Sequence, residues 1–431
     1  MIYNKTVEII DKARLEDLQS KRLKRLVAYV KNNSPYYQKQ LAHIQADDIN
    51  SMKDISKLPF TTKEDLRNNY PYGIFSMPHE KISEIHMSSG TAGNPTLVGY
   101  SRKDLMLWAE VMSRSLACAG VHSSDMIQVA FGYGSFTGGF GVHYGALKLG
   151  ATVLPMSSGQ TRRQITLMQS LKPRILACTP SYALYMAEEA ASMGLKPSDI
   201  SWEIGIFGAE PWSEGMRTEI EKRLGVKAVD IYGLSEIIGP GVSMECDEKN
   251  GMHIWSDVFY PEVINPDTGE VLPDKEKGEL VITTLTKQAI PLLRYRTRDI
   301  VSMTNEKCAC GRTMPRISKI SGRSDDMLVV RGINIFPSQI EHVLLNAAGA
   351  APHYQIIVNR NSIYQDSIDI LVEIEEQMFS DQMKEMEQLE AKIVKEMTAV
   401  LNITPKLKLV SPKTLPRSEG KAVRVIDNRK I

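Results

Sequence analysis

The groups able to do chemistry fall in a few short polar segments. Ser88-Ser89-Gly90-Thr91-Ala92-Gly93-Asn94-Pro95-Thr96 alternates hydroxyls with glycines. That composition does not make a stable helix. A loop of this kind can turn backbone N–H groups and hydroxyls toward one anion, as phosphate-cradling loops do. The G-x-x-x-x-G-K-[ST] spacing of a Walker loop is absent, and a plain Ser/Gly/Thr loop has the same composition. Gly208-Ala209-Glu210-Pro211-Trp212 follows the apolar run at 202–207. Asp230-Ile231-Tyr232-Gly233-Leu234-Ser235-Glu236 follows a second run at 227–230 and leads to Gly239-Pro240-Gly241. Open α/β sheets bind ligands beyond the carboxyl ends of their strands, so both positions are favourable. There Tyr232 suits stacking on a planar base and Glu236 suits holding Mg²⁺. A surface turn with an ordinary acidic residue is the alternative for each.

Three further segments are charged. Arg294-Tyr295-Arg296-Thr297-Arg298-Asp299 reads as polar chain between strands, where Asp299 suits accepting hydrogen bonds from ribose hydroxyls or pairing with its own arginines. Gly322-Arg323-Ser324-Asp325-Asp326 sits at a change of texture and reads equally as a solvated linker. Pro416-Arg417-Ser418-Glu419-Gly420-Lys421-Ala422 places a lysine on a glycine-containing loop, from which it can reach a phosphate as a mobile point charge or stay solvated. Residues 131–139 combine Phe131, Tyr133 and Phe136 with glycines that let a planar ligand approach the backbone; plain core packing is the alternative. Cys246-x6-His253 and Cys308-x-Cys310 offer three thiols and an imidazole, a set that satisfies tetrahedral Zn²⁺. Four protein ligands leave no open position, so such a site is structural; isolated buried thiols are the alternative. Cys118 and Cys178 lie in apolar periodic stretches and read as core.

The elements that must position these groups change character along the chain. Residues 1–80 read as polar helices, with Thr61 or Thr62 capping a helix that has Glu64 and Asp65 in its first turn. From about 100 to 240, amphipathic stretches alternate with short apolar runs, the pattern of a doubly wound, largely parallel α/β sheet. From about 245 to 322 the chain is β-rich and predicts a small barrel or second sheet. After Gly322 a strand–helix–strand–strand–helix–strand pattern predicts an α+β module. The expected organisation is a large domain over 1–322 and a small one over 323–431.

Composition narrows the function further. Lys+Arg is 52 and Asp+Glu 51 in 431 residues, a net charge of +1, which argues against coating nucleic acid or an anionic membrane. Residues 126–147 lack Asp, Glu, Lys and Arg but contain six glycines and several polar side chains, too polar for a spanning helix. Five cysteines cannot all pair internally, and the N-terminal residues do not have the form of a secretory signal. The expectation is a cytoplasmic protein.

Taken in order, the motifs SSGTAGNPT, FGYGSFTGGFGVHYGA, GAEPW, YGLSEIIGPGVSMEC, YRTRD, GRSDDMLVVRGINIFPSQIE and LPRSEGKAVRVIDNR resemble the adenylate-forming superfamily of acyl-CoA synthetases, and within it the aryl-acid branch. The likeness runs from about residue 60 to 429. It implies that a carboxylate attacks the α-phosphate of ATP, giving acyl-AMP and pyrophosphate, and that coenzyme A thiolate then displaces AMP. It implies Ser88, Ser89, Gly90, Thr91 and Gly93 on the triphosphate; Ala209, Glu210 and Pro211 at the adenine, with Asp230, Ile231, Tyr232, Gly233 and Ser235 beside it; Glu236 on Mg²⁺; Asp299 on the ribose, with Arg323 nearby; Asp325 as the hinge of a mobile C-terminal domain; and Lys421 as the adenylation lysine. Tyr133, Phe136, Gly138, Ala209 and Pro240 are the implied lining of an aryl pocket for phenylacetate or a related acid. Some relatives carry a Cys/His zinc site, and a homodimer is implied. Ala92 and Asn94 depart from the threonine and lysine common in the family, and Arg298 stands where a glycine is often found. Loading of a carrier-protein thiol, or nucleotide binding without turnover, are the alternative readings.

Overall fold

The computed structural model describes residues 1–88, 94–324, 328–330, 333–347, 349–360, 366–375 and 383–429, with no side-chain description for Ser88, Val329, Asn334 or residues 383–385. Ser89, Gly90, Thr91, Gly93 and Asp325 lie outside the described residues. The chain divides into two compact units.

The first unit comprises Met1–Cys178, Ser201–Ala209 and Lys227–Ile320. It begins with helices α1 (Lys5–Glu8), α2 (Lys12–Asn33), α3 (Pro35–Gln40) and α4 (Lys63–Asn68). The Asp11 side chain caps α2, which buries a stripe of Leu15, Leu23, Leu26, Val27 and Val30 at helical spacing. Thr62, rather than Thr61, caps α4, with Asp65 returning the hydrogen bond to the Thr62 N–H. Strands β1 (Glu84–Ser88) and β2 (Thr96–Tyr100) form a separate hairpin that brackets the Ser/Gly/Thr loop. Then α5 (Arg102–Cys118), β3 (Met126–Val129), α6 (Gly138–Leu149), β4 (Thr152–Pro155), α7 (Thr161–Leu171), β5 (Ile175–Cys178), β6 (Ile204–Gly208) and β7 (Lys227–Leu234) follow the α/β alternation read from the sequence. The stretch 126–147 is divided among β3, a loop and α6. Among the described residues no helix is long and apolar enough to cross a membrane.

The β-rich region differs from expectation. Strands β8 (Gly239–Glu245), β9 (Met252–Ile254), β10 (Phe259–Ile264), β11 (Lys277–Thr284), β12 (Tyr295–Thr304) and β13 (Arg316–Ile317) make neither a barrel nor a second sheet. They continue the parallel block in one eleven-stranded order, β10-β11-β12-β13-β9-β8-β7-β6-β5-β3-β4. The join is the hairpin in which β7 turns back into β8 and passes its free edge to an antiparallel neighbour. The arginine-rich motif is also not a connection between strands, because β12 starts at Tyr295. Tyr295, Thr297, Asp299 and Val301 point to the buried face, while Arg296, Arg298 and Ile300 are half-buried.

The second unit comprises Thr179–Ile200, Glu210–Val226 and Ser321–Ile431. It contains α8 (Pro180–Ser192) and α9 (Glu214–Leu224), a hairpin of β14 (Leu328–Val330) and β15 (Ile333–Ile335), then α10 (Pro337–Leu345), β16 (Ala350–Arg360), β17 (Asp366–Ile374), α11 (Met383–Leu401), β18 (Lys406–Val410) and β19 (Val425–Asp427). Four strands pair in the order β18-β17-β16-β19. β17 and β18 run parallel, joined through α11. Ile340, Val343, Ile356, Ile370, Ile393 and Met397 are among the residues of its separate core.

Candidate active site

In the first unit the site is built on the β7–β8 hairpin and the edge of β12. Asp230, Ile231, Tyr232 and Gly233 lie in β7 itself; Ser235 and Glu236 occupy the turn before β8. Gly208 ends β6 so close to β7 that a Cβ there would sit 2.2 Å from the Ile231 carbonyl oxygen. The next residue, Ala209, takes a left-handed φ of 70° to turn away. The backbone N–H of Asp230 donates to Glu245 Oε2 at 3.1 Å, fixing the strand's register at the site. The Tyr232 hydroxyl donates to Asp299 Oδ2 at 2.6 Å, so residues predicted to meet adenine and ribose are in direct contact although 67 positions apart. Asp299 is held in turn by Thr297 Oγ1, which accepts from its backbone N–H at 3.1 Å.

The Glu236 carboxylate is buried, 5% exposed, and the half-exposed Lys63 ammonium stands 3.8 Å from its Oε1. A buried carboxylate oxygen is a hard ligand of the kind a divalent ion takes while keeping waters and phosphate oxygens as its remaining ligands, so the residue present fits Mg²⁺. Beneath the turn, Lys287 Nζ donates to the Glu236 carbonyl oxygen at 3.0 Å and stands 5.0 Å from the centroid of the Tyr100 ring. Burial pushes this ammonium down to about 8, against the opposing pull of Asp104 and Glu236. Lys287 was not singled out from the sequence. The available signal is a lone charge in the otherwise uncharged stretch 283–293.

The implied acyl wall begins where α6 starts. Thr137 Oγ1 and Ser235 Oγ share a hydrogen bond of 3.0 Å, joining this segment to the Glu236 turn. A Cβ on Gly141 would meet Pro240 at 2.5 Å and Trp108 at 2.8 Å, so glycine here allows α6 to lie directly against β8. Trp108 Nε1 donates to the Pro240 carbonyl oxygen at 3.0 Å. Gly138 lies beside Phe131, where a Cβ would meet the Phe131 Cβ at 3.4 Å and its ring at 3.6 Å. Tyr133 packs edge-on to Phe140 at 5.2 Å and reaches His143 Nδ1 at 3.2 Å. Phe136 is 42% exposed. His86, on the strand leading into the Ser/Gly/Thr loop, accompanies this wall: its Nδ1 is 3.2 Å from the Ser135 carbonyl oxygen and its Nε2 is 2.5 Å from Glu84 Oε1.

In the second unit, Glu210 and Lys421 belong to one arrangement. Glu210 Oε1 accepts from Ser181 N at 2.7 Å and Oε2 from Ala422 N at 2.9 Å. Thr179 Oγ1 donates to the Gly420 carbonyl oxygen at 2.9 Å, and Ser418 Oγ to that of Lys421 at 2.8 Å. The loop thus borders a cavity of about 270 Å³ whose lining includes Ser181, His353, Arg417 and Lys421. Pro211 leads from Glu210 toward α9, and Arg323 lies next to Ser324, the last described residue of its stretch.

The four Cys/His residues come together in the first unit. One ligand atom from each of Cys246, His253, Cys308 and Cys310 lies within 4.8 Å of all the others. Cys246 Sγ is 3.8 Å from Cys308 Sγ, and Cys310 Sγ is 3.3 Å from His253 Nε2. Tetrahedral zinc with ordinary bond lengths places two sulfurs about 3.8 Å apart and sulfur and nitrogen about 3.6 Å apart. The donor set and its spacing fit zinc. Burial raises the Cys310 thiol, but donation from His253 and Arg312 outweighs it and brings the group down to about 5, the thiolate form a metal requires. Cys118 and Cys178 are buried and are not among the four, although Cys118 stands near them, its thiol on the carbonyl oxygen of Glu245 beside Cys246.

Comparison with known proteins agrees across the whole chain. The model of the AMP-binding enzyme family matches residues 12–286, and that of the AMP-binding enzyme C-terminal domain matches residues 332–429. A phenylacetate-coenzyme A ligase of Thermus thermophilus is 47% identical over 446 residues, covering 100% of both chains. One of Escherichia coli is 46% identical over 438 residues, covering 100% of this chain and 99% of its own. A 2-hydroxyisobutyryl-CoA ligase solved in the postadenylation state with R3-HIB-AMP superposes with a TM-score of 0.93 at 28% identity, covering 99% of this chain and 92% of that one. The same ligase solved with 2-HIB-AMP and CoA in the thioesterification state gives 0.73 at 29% identity, with the same coverage of both chains. With the buried Tyr232–Asp299 pair, the Glu236 turn and the Lys421 loop in place, the chain belongs to the AMP-binding enzymes and, among them, to the ATP-dependent ligases that join an acid to coenzyme A.

Proposed function

We propose that the acid is phenylacetate or a close arylacetic relative, activated as its acyl-adenylate and passed to coenzyme A. The observation that carries this reading is the full-length likeness to ligases of phenylacetate. The wall in which Gly138 and Gly141 bring α6 close to Phe131, Trp108 and Pro240 supports it, because flat rings need close approach and few polar neighbours. Tyr133, Phe136, Gly138, Ala209 and Pro240 line the pocket in this proposal. Asp299 takes the ribose hydroxyls, while Tyr232, Ala209, Glu210 and Pro211 frame the base with the β7 backbone from Asp230 to Gly233. Ser88, Ser89, Gly90, Thr91 and Gly93 take the triphosphate, Ser235 and Glu236 the metal end of it, and Arg323 the ribose side.

The chemistry assigned to these residues is positioning and charge stabilisation. A free carboxylate is a poor acyl donor; joined to AMP as a mixed anhydride it has a good leaving group. Mg²⁺ on Glu236 would supply charge neutralisation at the phosphates. Lys421 supplies a cation between the attacking carboxylate and the α-phosphate in the first step. The proposed boundary of the mobile part is at 322/323, with Asp325 as hinge, so that Lys421 leaves before the thiol attacks. The Cys/His set is proposed as a structural zinc site with Cys246, His253, Cys308 and Cys310 as ligands. Five free thiols suit a reducing, cytoplasmic setting, and a homodimer is the assembly the resemblance implies.

The test is pyrophosphate release with ATP, Mg²⁺ and a panel of carboxylic acids led by phenylacetate, with and without coenzyme A. Acid-dependent release that becomes multiple-turnover only with coenzyme A, fastest for arylacetic acids, is expected. Release indifferent to coenzyme A would point instead to a carrier-protein thiol as acceptor. A preference for short aliphatic acids would remove the aryl pocket.

A further inference from the structure

Arg417 stands four residues before Lys421, and its guanidinium is 14% exposed between two carboxylates. Glu373 on β17 takes one side, accepting from Nη1 at 2.8 Å and Nη2 at 2.8 Å. Glu188 on α8 takes the other, accepting from Nε at 2.8 Å and Nη2 at 3.4 Å. The two carboxylates do different work. Glu373 also accepts from the backbone N–H groups of Lys413 and Leu415, at 3.1 and 2.7 Å, so it shapes the chain entering the loop. Among the described residues, Glu188 makes no such local bond. Its partners are Arg417 and the ring of His353, neither of them on its own helix. Burial raises this carboxyl, but His353 and Arg417 together outweigh it and hold it at about 2, so it stays ionised.

The segments so joined are distant in the chain. Glu188 lies within the stretch matched by the AMP-binding family model, and Arg417 and His353 within that matched by the C-terminal-domain model. Alongside the pair, Thr179 holds the Gly420 carbonyl and Glu210 the Ala422 N–H, one on each side of Lys421. Of these ties, the Glu188–Arg417 pair joins two full charges, and charge-assisted forks of this kind are both strong and demanding of geometry.

We propose that Glu188 is a positioning residue for adenylation: through Arg417 it holds the Lys421 loop where the lysine meets the substrate, and the pair separates for transfer to coenzyme A. The proposal rests on Lys421 being the adenylation lysine. It makes a split prediction, because a contact that favours one working arrangement speeds the step performed there and delays the other.

The experiment measures the two half-reactions separately on the full chain: acid-dependent ATP–pyrophosphate exchange, and acylation of coenzyme A from supplied acyl-adenylate. Glu188→Gln is expected to slow exchange by about tenfold or more while the second step is unchanged or faster. His353→Gln, which removes one partner of Glu188, should shift the ratio in the same direction by less. A parallel loss of both steps would mark a merely structural role and overturn the proposal, as would full exchange in Glu188→Gln. Lys421→Ala, run alongside, separates the two claims. Exchange lost in Lys421→Ala but intact in Glu188→Gln sinks the positioning role alone; exchange intact in Lys421→Ala sinks the lysine assignment beneath it.

Discussion

Lys287 shows how a single residue joins stability to function. Its ammonium is buried against the Tyr100 ring and spends a hydrogen bond on the Glu236 carbonyl. Burial lowers its affinity for a proton to about 8 from an ordinary value of 10.5. Below pH 8 the folded chain carries the desolvated charge in full; between 8 and 10.5 it sheds the proton before the unfolded chain does, so the cost fades as pH rises. Lys287→Met should therefore raise Tm near pH 7, by roughly 2–4 °C per kcal/mol relieved in large domains, and the gain should shrink toward pH 10. Adenylation should slow in the same variant, because the Glu236 turn loses its anchor. At the next pair, Asp299→Asn should raise the KM for ATP about tenfold or more with little change in Tm, as a ribose-binding carboxylate would require. The gathering of the Cys/His set was legible from residue types, and motif order singled out Tyr232 and Asp299, but not their direct contact. Lys287, His86 and Glu188 were not, because their importance lies in partners distant in the chain: Glu236, Ser135 and Arg417.

At the scale of elements, the alternation of α5 through β7 was plain because each strand is a short apolar run and each helix keeps one apolar face. β12 was misread because its buried face is partly polar: Thr297 and Asp299 occupy inward positions that a hydrophobic pattern expects to be apolar. The β-rich region was misassigned for a related reason, since composition reports strands but not which edge they join. Close approach of elements is set by glycine. A Cβ on Gly145 of α6 would stand 2.4 Å from Met112 Cβ on α5, and Gly145→Ala should cost about 1–3 kcal/mol by forcing the helices apart. Chemical denaturation would report it as a fall in midpoint. Since α6 also carries the implied acyl wall, KM for the acid should rise more than KM for ATP.

Over the whole molecule, two compact units carry separate cores. In the first, the Cys/His set is linked to the N-terminal segment through Arg312, which donates to Cys310 Sγ, to Glu8 Oε2 at 2.8 Å and to the Met1 carbonyl. The account expects about one zinc per chain by metal analysis of protein purified without chelator. Removing it should lower Tm and open residues 1–10 to protease; a chelator without effect on either would contradict the zinc assignment. The central claim is tested most directly by counting products in one reaction of phenylacetate, ATP, Mg²⁺ and coenzyme A. The account predicts AMP, pyrophosphate and phenylacetyl thioester in equal amounts, each dependent on the acid. Formation of ADP and phosphate, or of AMP and pyrophosphate with no thioester, would contradict it.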